Sequence, residues 1–392
     1  MHYAVPRILH RSLALERLYT DFYAPDFIRG VSRLTSLPDP IKRGLGRFAA
    51  DLPSDHVKTF PGFGVAYALK RRNSSQDAIG DVFLWAGRKF GERAIAQRLR
   101  WGDGVYCFNS AALEILVCAR EAGKFTALEQ TIAPLAVETD LIRQEREMFP
   151  EWERPESSRC MKSTAERCNR EREEWGLANL ILCGSSFVRD SIHGLGGPIS
   201  KCVVVPYGVD LQPAAIPKRR DAGPLKVLVV GAVGLRKGSP YVLEVARRLG
   251  SAASIRMVGA ISASEKALRS VPSNVRLVGA VPRHQIGEHY AWADVFVLPS
   301  LCEGSATATY EALAWGLPVI CTPNTGSTIT DGKSGSIVPI RDVERIIASL
   351  EQFIGHNNLL TEMSLEALNA ASDISVERYG DRLIAALGGA GA

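Results

Sequence analysis

A chain of 392 residues is too long for one ordinary hydrophobic core and suits two α/β domains. A composition of 46% hydrophobic and 23% charged residues excludes extended disorder. The formal charge of +5 is modest: it calls for no nucleic acid partner, and fits a chain that handles anionic nucleotides or approaches an acidic surface.

In the first half, helices are expected over residues 7–18, 77–99, 111–123, 133–148 and 162–175. Strands are expected over 20–24, 57–60, 104–109, 125–130, 177–184 and 202–206. A Rossmann-like domain ordinarily opens with an apolar strand and a glycine-rich turn. Met1–Pro6 is too short for both, so the first strand is expected to be absent or to lie upstream of Met1. Two basic clusters, Lys42, Arg43 and Arg47, then Lys70, Arg71 and Arg72, read as solvated faces. Pro213–Pro224, rich in proline and charge, reads as a linker between domains.

The second half alternates more clearly. A strand is expected over 225–231, a continuous apolar run ending in glycine of the kind buried in parallel sheets, and further strands over 254–259, 274–279, 294–299, 317–322 and 336–339. Helices fall between them: one opened by Ser239-Pro240 as N-cap and first-turn proline and closed by Gly250, others at 283–291, 306–315 and 343–355. A last amphipathic helix follows Ser375 and should fray over Gly388–Ala392. Repeated β-loop-α units build a doubly wound sheet with ligands at the carboxyl ends of the strands. The boundaries are then 1–210 for an N-terminal domain, 211–224 for the linker and 225–375 for a C-terminal domain, with 376–392 as a terminal segment.

The eight cysteines, among them Cys183 and Cys321 inside apolar runs, include no C-x-x-C pair and read as reduced thiols rather than metal ligands. No secretory signal is visible, and no apolar run reaches the roughly 18 residues a membrane span requires. The expected location is cytoplasmic, with contact at the inner membrane's periphery.

The chemistry concentrates in Pro299-Ser300-Leu301-Cys302-Glu303-Gly304-Ser305, followed by Glu311 through Ile320 (EALAWGLPVI). A buried strand ends at Pro299, a loop carries Glu303 and Gly304, and a helix begins near Ser305. Glu311 lies two turns farther, roughly 10 Å along the helix. Gly304 would let a ligand approach the backbone. The N–H groups of Ser305, Ala306 and Thr307 would form an anion site at the positive end of the helix dipole.

This pattern resembles the E-x7-E signature of the GT4 family of retaining glycosyltransferases, which have the GT-B fold. The resemblance implies two Rossmann-like domains facing across a cleft, with Glu303 on hydroxyls of a donor sugar and Glu311 on the ribose of its nucleotide. Gly231–Gly238 (GAVGLRKG), containing Gly234, resembles the family's phosphate loop, with Lys237 in the lysine's place. The usual arginine is replaced by Ala232, and Arg236 is the candidate substitute. Val203–Asp210 resembles the turn that closes the family's N-terminal domain, and Leu277–Pro282, leading to Tyr290, its base-contacting stretch, with backbone near Val281 and Arg283 meeting the base. Val376–Leu387 resembles the helix that crosses back onto the N-terminal domain, so the resemblance assigns 376–392 to that domain. The family often carries a histidine near the reacting sugar; the corresponding strand here runs into Glu129-Gln130-Thr131, expected to line the donor–acceptor gap.

What the resemblance implies is metal-independent transfer of a sugar, with retention, from a nucleotide-diphosphate sugar to a hydroxyl of a saccharide or lipid-linked acceptor. Cell-surface polysaccharide or glycolipid assembly is the implied setting. Two other classes stay open: a nucleotide-sugar epimerase, and a catalytically degraded protein that only binds the nucleotide sugar. A plain dehydrogenase is disfavoured, because the G-x-G-x-x-G turn and its ribose-binding acid are missing.

Overall fold

The computed structural model describes residues 3–24, 46–97, 102–153, 158–210, 216–219 and 222–391. The basic pair Lys42 and Arg43 and most of the proline-rich linker therefore lie outside the described residues. Within the linker, Lys218 is held at both ends: its N–H donates to Ser364 Oγ at 2.7 Å and its ammonium to the Ala291 carbonyl at 2.6 Å.

The N-terminal part opens with α1 (Ala4–Arg11) and a short parallel pair, β1 (Leu18–Thr20) and β2 (Val57–Thr59). α1 stops well before Leu18, contrary to the periodicity, because Leu13 takes φ 57°, a left-handed conformation that no helix of L-residues continues through. Then come α2 (Pro61–Arg72), α3 (Ile79–Ala96), β3 (Gly104–Phe108), α4 (Leu113–Glu121), β4 (Phe125–Gln130), α5 (Leu135–Met148), α6 (Ser158–Leu177), β5 (Leu180–Cys183), α7 (Ser186–Gly194) and β6 (Cys202–Val204). The strand expected from 177 is shorter, since α6 runs through Leu177 before the chain extends. β3, β4, β5 and β6 form a parallel sheet in that sequential order.

The C-terminal part contains β7 (Leu225–Val230), α8 (Ser239–Leu249), β8 (Ala253–Val258), α9 (Glu265–Leu268), β9 (Val275–Gly279), α10 (Ile286–Trp292), β10 (Val295–Leu298), α11 (Thr307–Ala314), β11 (Val319–Cys321), β12 (Gly335–Ile337), α12 (Val343–Gly355), α13 (Asn357–Ala371) and α14 (Val376–Gly391). Its sheet order, β12-β11-β10-β7-β8-β9, reverses between β7 and β10, the double winding expected of this half. Reversal of strand order is confined to this sheet among those described. α8 is capped by Gly238 (φ 68°), so Ser239 is its first helical residue rather than its cap, and Gly250 closes it. α14 stays helical through Gly388 and Gly389, past the point where fraying was expected.

Alternation along the strands splits each core in two. Leu225, Val227 and Val229 of β7 pack with α8 and α12, while Leu228 faces Tyr310 and Leu313 of α11. In β5, Ile181 and Cys183 face one core, and Leu180 and Leu182 pack with α1 and with Tyr379 and Leu383 of α14. α14 thus completes the N-terminal domain. Gly208 makes that crossing possible: an added Cβ would overlap the Ser375 carbonyl oxygen just before α14 begins.

The two halves are tied together beside their cleft. Ile142 of α5 and Trp152 are buried in the C-terminal core. Glu145, fully buried on α5, accepts from the Tyr241 hydroxyl and from Arg341 Nε, each at 2.7 Å.

Candidate active site in the interdomain cleft

The loop after β7 folds back so that its cations reach the neighbouring loop. Gly231, at φ 149°, has no side chain where a Cβ would press on Lys237 Cε at 2.9 Å, which lets the lysine lie across the strand end. Gly238 packs against the Pro299 carbonyl at the end of β10, where a Cβ would overlap it. Between them Arg236 and Lys237 sit in a single 3₁₀ turn. Lys237 Nζ lies 2.6 Å and Arg236 Nη1 3.0 Å from Glu303 Oε1. Arg236 also donates to the Cys302 carbonyl at 3.0 Å, and its own carbonyl accepts from Leu301 N–H at 2.9 Å. The structure therefore brings Arg236, Lys237 and Glu303 together at the switch point of the sheet.

A fourth charge comes from the other domain. Glu138 on α5 stands 3.7 Å from Arg236 Nε. Burial lifts the Glu138 carboxyl above its ordinary range, opposed by Arg236 and reinforced by Glu303. Burial weakens the Arg236 charge, and the two carboxylates more than restore it. Glu138 carries no signal in the sequence, because only the closed cleft places it opposite a residue nearly a hundred positions away.

The expected anion site at the start of α11 is narrower than the motif suggested. Ala306 is the cap, and its N–H is already given to the Thr325 carbonyl at 3.0 Å. Ser305 Oγ pairs with the Tyr310 hydroxyl at 2.6 Å. The helix begins at Thr307 and Thr309 N–H bonds back to the Ala306 carbonyl at 2.9 Å, which leaves Thr307 and Ala308 as its first-turn donors. Gly304 is closed off by protein rather than left open to a ligand. An added Cβ would overlap the Thr131 carbonyl of the opposite domain, and the Gly304 carbonyl accepts from Ser185 Oγ at 2.5 Å.

Glu311 forms a second cluster. Its Oε2 accepts from the Tyr290 hydroxyl at 2.9 Å and its Oε1 is 3.5 Å from Arg283 Nη2. Tyr290 stacks on Trp315, with centroids 6.4 Å apart and planes 10° from parallel. Tyr290, which belongs to the stretch the resemblance covered, thus orients the Glu311 carboxylate. Val281 packs against the core beneath this cluster. Arg283, Thr307 and Glu311 border a crevice with Arg7 and Asp210. Gly234 lies apart: its backbone is extended, its N–H donates to Ser239 Oγ at 3.0 Å, and it faces Glu153.

On the N-terminal side a cavity of about 910 Å³ opens from Ser305 and Thr307 into a wall of rings, including Tyr19, Phe63, Tyr67 and Phe90. Glu129 and Thr131 line it, as the sequence suggested; Gln130 turns into the core, where its Nε2 donates to Glu171 Oε1 at 2.7 Å. Glu129 accepts from the Tyr207 hydroxyl at 2.6 Å and from the Tyr106 hydroxyl. Burial raises its pKa, opposed by those two hydroxyls. The rim is fixed by two buried glutamates of α6. Glu174 accepts from the N–H groups of Ser110, Ala112 and Leu113, and Glu171 from that of Leu135.

Among the described residues no helix is long and apolar enough to cross a membrane, and no group of three or more His, Cys, Asp or Glu residues is placed to hold a metal ion.

Comparison with known proteins gives a consistent picture. Residues 224–356 match the family described as Glycosyl transferases group 1. WcaL of Salmonella typhimurium, assigned as a colanic acid biosynthesis glycosyltransferase, is 28% identical over 229 residues, 53% of this chain and 56% of that protein. The amylovoran biosynthesis glycosyltransferase AmsK of Erwinia amylovora is 29% identical over 189 residues, 44% and 46% of the two chains. The chain thus spans about half the length of the curated relatives it matches. Among solved structures, HepE of Anabaena in complex with UDP and glucose aligns with a TM-score of 0.60 at 12% identity, over 99% of this chain and 95% of that one. The sucrose-phosphate synthase of Thermosynechococcus elongatus aligns at 0.65 and 15% identity, over 96% and 89%. At such identities the likeness speaks for the fold. The chain has the GT-B fold, and its residues 224–356 form a glycosyl transferases group 1 domain.

Proposed function

We propose that the protein is a retaining glycosyltransferase of the GT4 type, moving a sugar from a nucleoside diphosphate carrier to an acceptor hydroxyl in polysaccharide or glycolipid assembly. The observation that carries this reading is the convergence of Arg236 and Lys237 on Glu303 at the crevice between β7 and β10. A leaving diphosphate gains charge as the glycosidic bond breaks. Two cations and the N-terminus of α11 are the groups needed to stabilise it in a site shielded from water. Arg236 takes the place of the arginine missing at Ala232, and the presence of both cations supports a working site over a degraded one.

In this reading Glu303 accepts hydrogen bonds from the sugar once the diphosphate draws Lys237 and Arg236 away. Glu311, oriented by Tyr290, accepts them from the ribose. The acceptor enters through the ring-lined cavity and attacks from the face the leaving group departs, without a metal. Relatives named for colanic acid and amylovoran biosynthesis support polysaccharide assembly, and the location would be cytoplasmic with contact at the membrane surface.

The test is a thermal-shift panel of UDP, GDP and ADP without added metal. A nucleotide at a hundred times its Kd raises stability by about 2.7 kcal/mol, visible as a higher Tm. A shift with one nucleotide that disappears in Glu311→Ala supports the donor site; no shift with any of them refutes it.

A further inference from the structure

We infer that Arg167 is a specificity-determining residue of the ring-lined cavity, and that the acceptor it selects is an acidic saccharide, a sugar bearing a carboxylate. The inference deepens the transferase reading above and rests on it.

Among the described residues three charged side chains line this cavity: Asp21, Glu129 and Arg167. The two acids are already engaged. Asp21 Oδ2 accepts from Arg47 Nη1 at 2.8 Å, and Glu129 accepts from the hydroxyls of Tyr106 and Tyr207. Arg167 donates to no oxygen among the described residues. It rests over the Phe83 ring, with its guanidinium carbon 5.2 Å from the centroid.

The fold keeps this cation uncommitted. One turn farther along α6 stands Glu171, the ordinary i+4 partner for an arginine on a helix. Glu171 is turned inward instead: its Oε1 accepts from Gln130 Nε2 at 2.7 Å and its Oε2 from Leu135 N–H at 2.9 Å. Glu138 feels the charge of Arg167 without touching it, and stands nearer to Arg236. Neighbouring arginines show the contrast. Arg170 pairs with Glu114 at 2.9 Å, and Arg88 pairs with Glu166.

A half-buried guanidinium without an acceptor is short of hydrogen bonds, and a ligand entering the cavity can supply them. Stacking on Phe83 leaves the planar fork of donors free for a carboxylate or a phosphate. Charge decides between the two. One uncommitted cation matches a single negative charge. A phosphate monoester would bring a second charge with no partner, into a cavity that already holds the carboxylates of Asp21 and Glu129. Tyr19, Tyr67 and Phe90 offer ring faces to the apolar faces of a sugar. A sugar carboxylate meets both parts of this lining, whereas a neutral sugar meets only the rings.

The experiment compares binding of methyl glucuronide and methyl galacturonide to the full chain with that of methyl glucoside, methyl galactoside and glucose 6-phosphate. Ligand-observed saturation-transfer NMR at neutral pH, with and without UDP, gives the affinities. Each uronide is expected to bind about tenfold more tightly than its neutral counterpart, in line with one charge-assisted contact. Arg167→Met should remove that advantage at parental Tm, and Arg167→Lys should keep only part of it, because an ammonium lacks the fork. Failure of both uronides to bind, equal affinity for acid and neutral sugars, or an advantage that survives Arg167→Met would each overturn the proposal. So would tighter binding of glucose 6-phosphate than of the uronides, or a loss of UDP affinity in Arg167→Met, which would place the guanidinium on the diphosphate. A UDP titration of the parent chain without sugar reports on the donor site separately, so failure of the transferase reading is distinguishable from failure of this one.

Discussion

Lys237 Nζ stands 2.6 Å from Glu303 Oε1, joining the loop after β7 to the loop after β10 where the strand order reverses. With Arg236 on the same oxygen, one carboxylate holds two cations.

Removing one of those cations tests their role. Lys237→Ala is expected to lower kcat/KM by about a hundredfold or more, in line with losing one donor to developing negative charge. Because the contact matters most as the leaving group departs, kcat should fall more than KM rises. Near-normal turnover would remove this loop from the active site.

Tyr290→Phe should weaken nucleotide binding without abolishing it. The substitution keeps the ring on Trp315 and deletes one hydrogen bond to Glu311, a charge-assisted contact worth roughly 1.5–3 kcal/mol. Part of that loss returns as Glu311 rehydrates, so a Kd raised about three- to tenfold is expected by isothermal titration. Unchanged affinity would separate Glu311 from the nucleotide.

Gly304→Ala addresses closure of the cleft. The added methyl has no room beside the Thr131 carbonyl, and backbone on both sides prevents an easy retreat. Overpacking of this kind typically costs about 1–3 kcal/mol. A lower Tm and a larger radius of gyration in solution scattering are expected. A variant with parental Tm and dimensions would mean that the two backbones are not held in contact.

Glu174 gives a pH signature. Burial pushes its pKa up to about 7, against the pull of the N–H groups of Ser110 and Ala112. A carboxyl whose folded pKa is raised favours the native state at low pH and loses that advantage as pH rises from its unfolded value, near 4.5, through the folded one. Stability should therefore fall by up to the order of 3 kcal/mol between about pH 4.5 and 7 from this group. Glu174→Gln should lack that component in urea melts across the range. The same slope in parent and variant would assign it elsewhere.

Much of the C-terminal half was legible in the sequence. Its central strands β10 and β11 are apolar runs buried on both faces, and β7 (Leu225–Val230) departs from that only at Lys226 and Val230. The motif around Glu303 and Glu311 marked its own place at a strand end. α2, α7 and α13 were not anticipated. α2 carries two glycines in its first turn, α7 lies between segments read as strands, and α13 fills the stretch left unassigned between two segments read as helices. The site's remaining partners depend on the closed cleft. Glu138 facing Arg236, and Thr131 occupying the space beside Gly304, arise between residues far apart in the chain. Local pattern carries no trace of such contacts. Gly304 accordingly fits a close approach, as the motif implied, but the approaching group is the opposite domain's backbone.

α14 lies against α1, with Gly380 beside Ile8, and supplies Tyr379 and Leu383 to the N-terminal core. The first domain therefore has no finished core until the end of this sequence has been made. During synthesis its sheet must wait on the ribosome with one apolar face covered only by α1, while the C-terminal domain can assemble as soon as α12 and α13 emerge. An N-terminal half expressed alone, cut anywhere in the linker, would carry the same half-covered face and should aggregate unless residues 376–391 are supplied in trans.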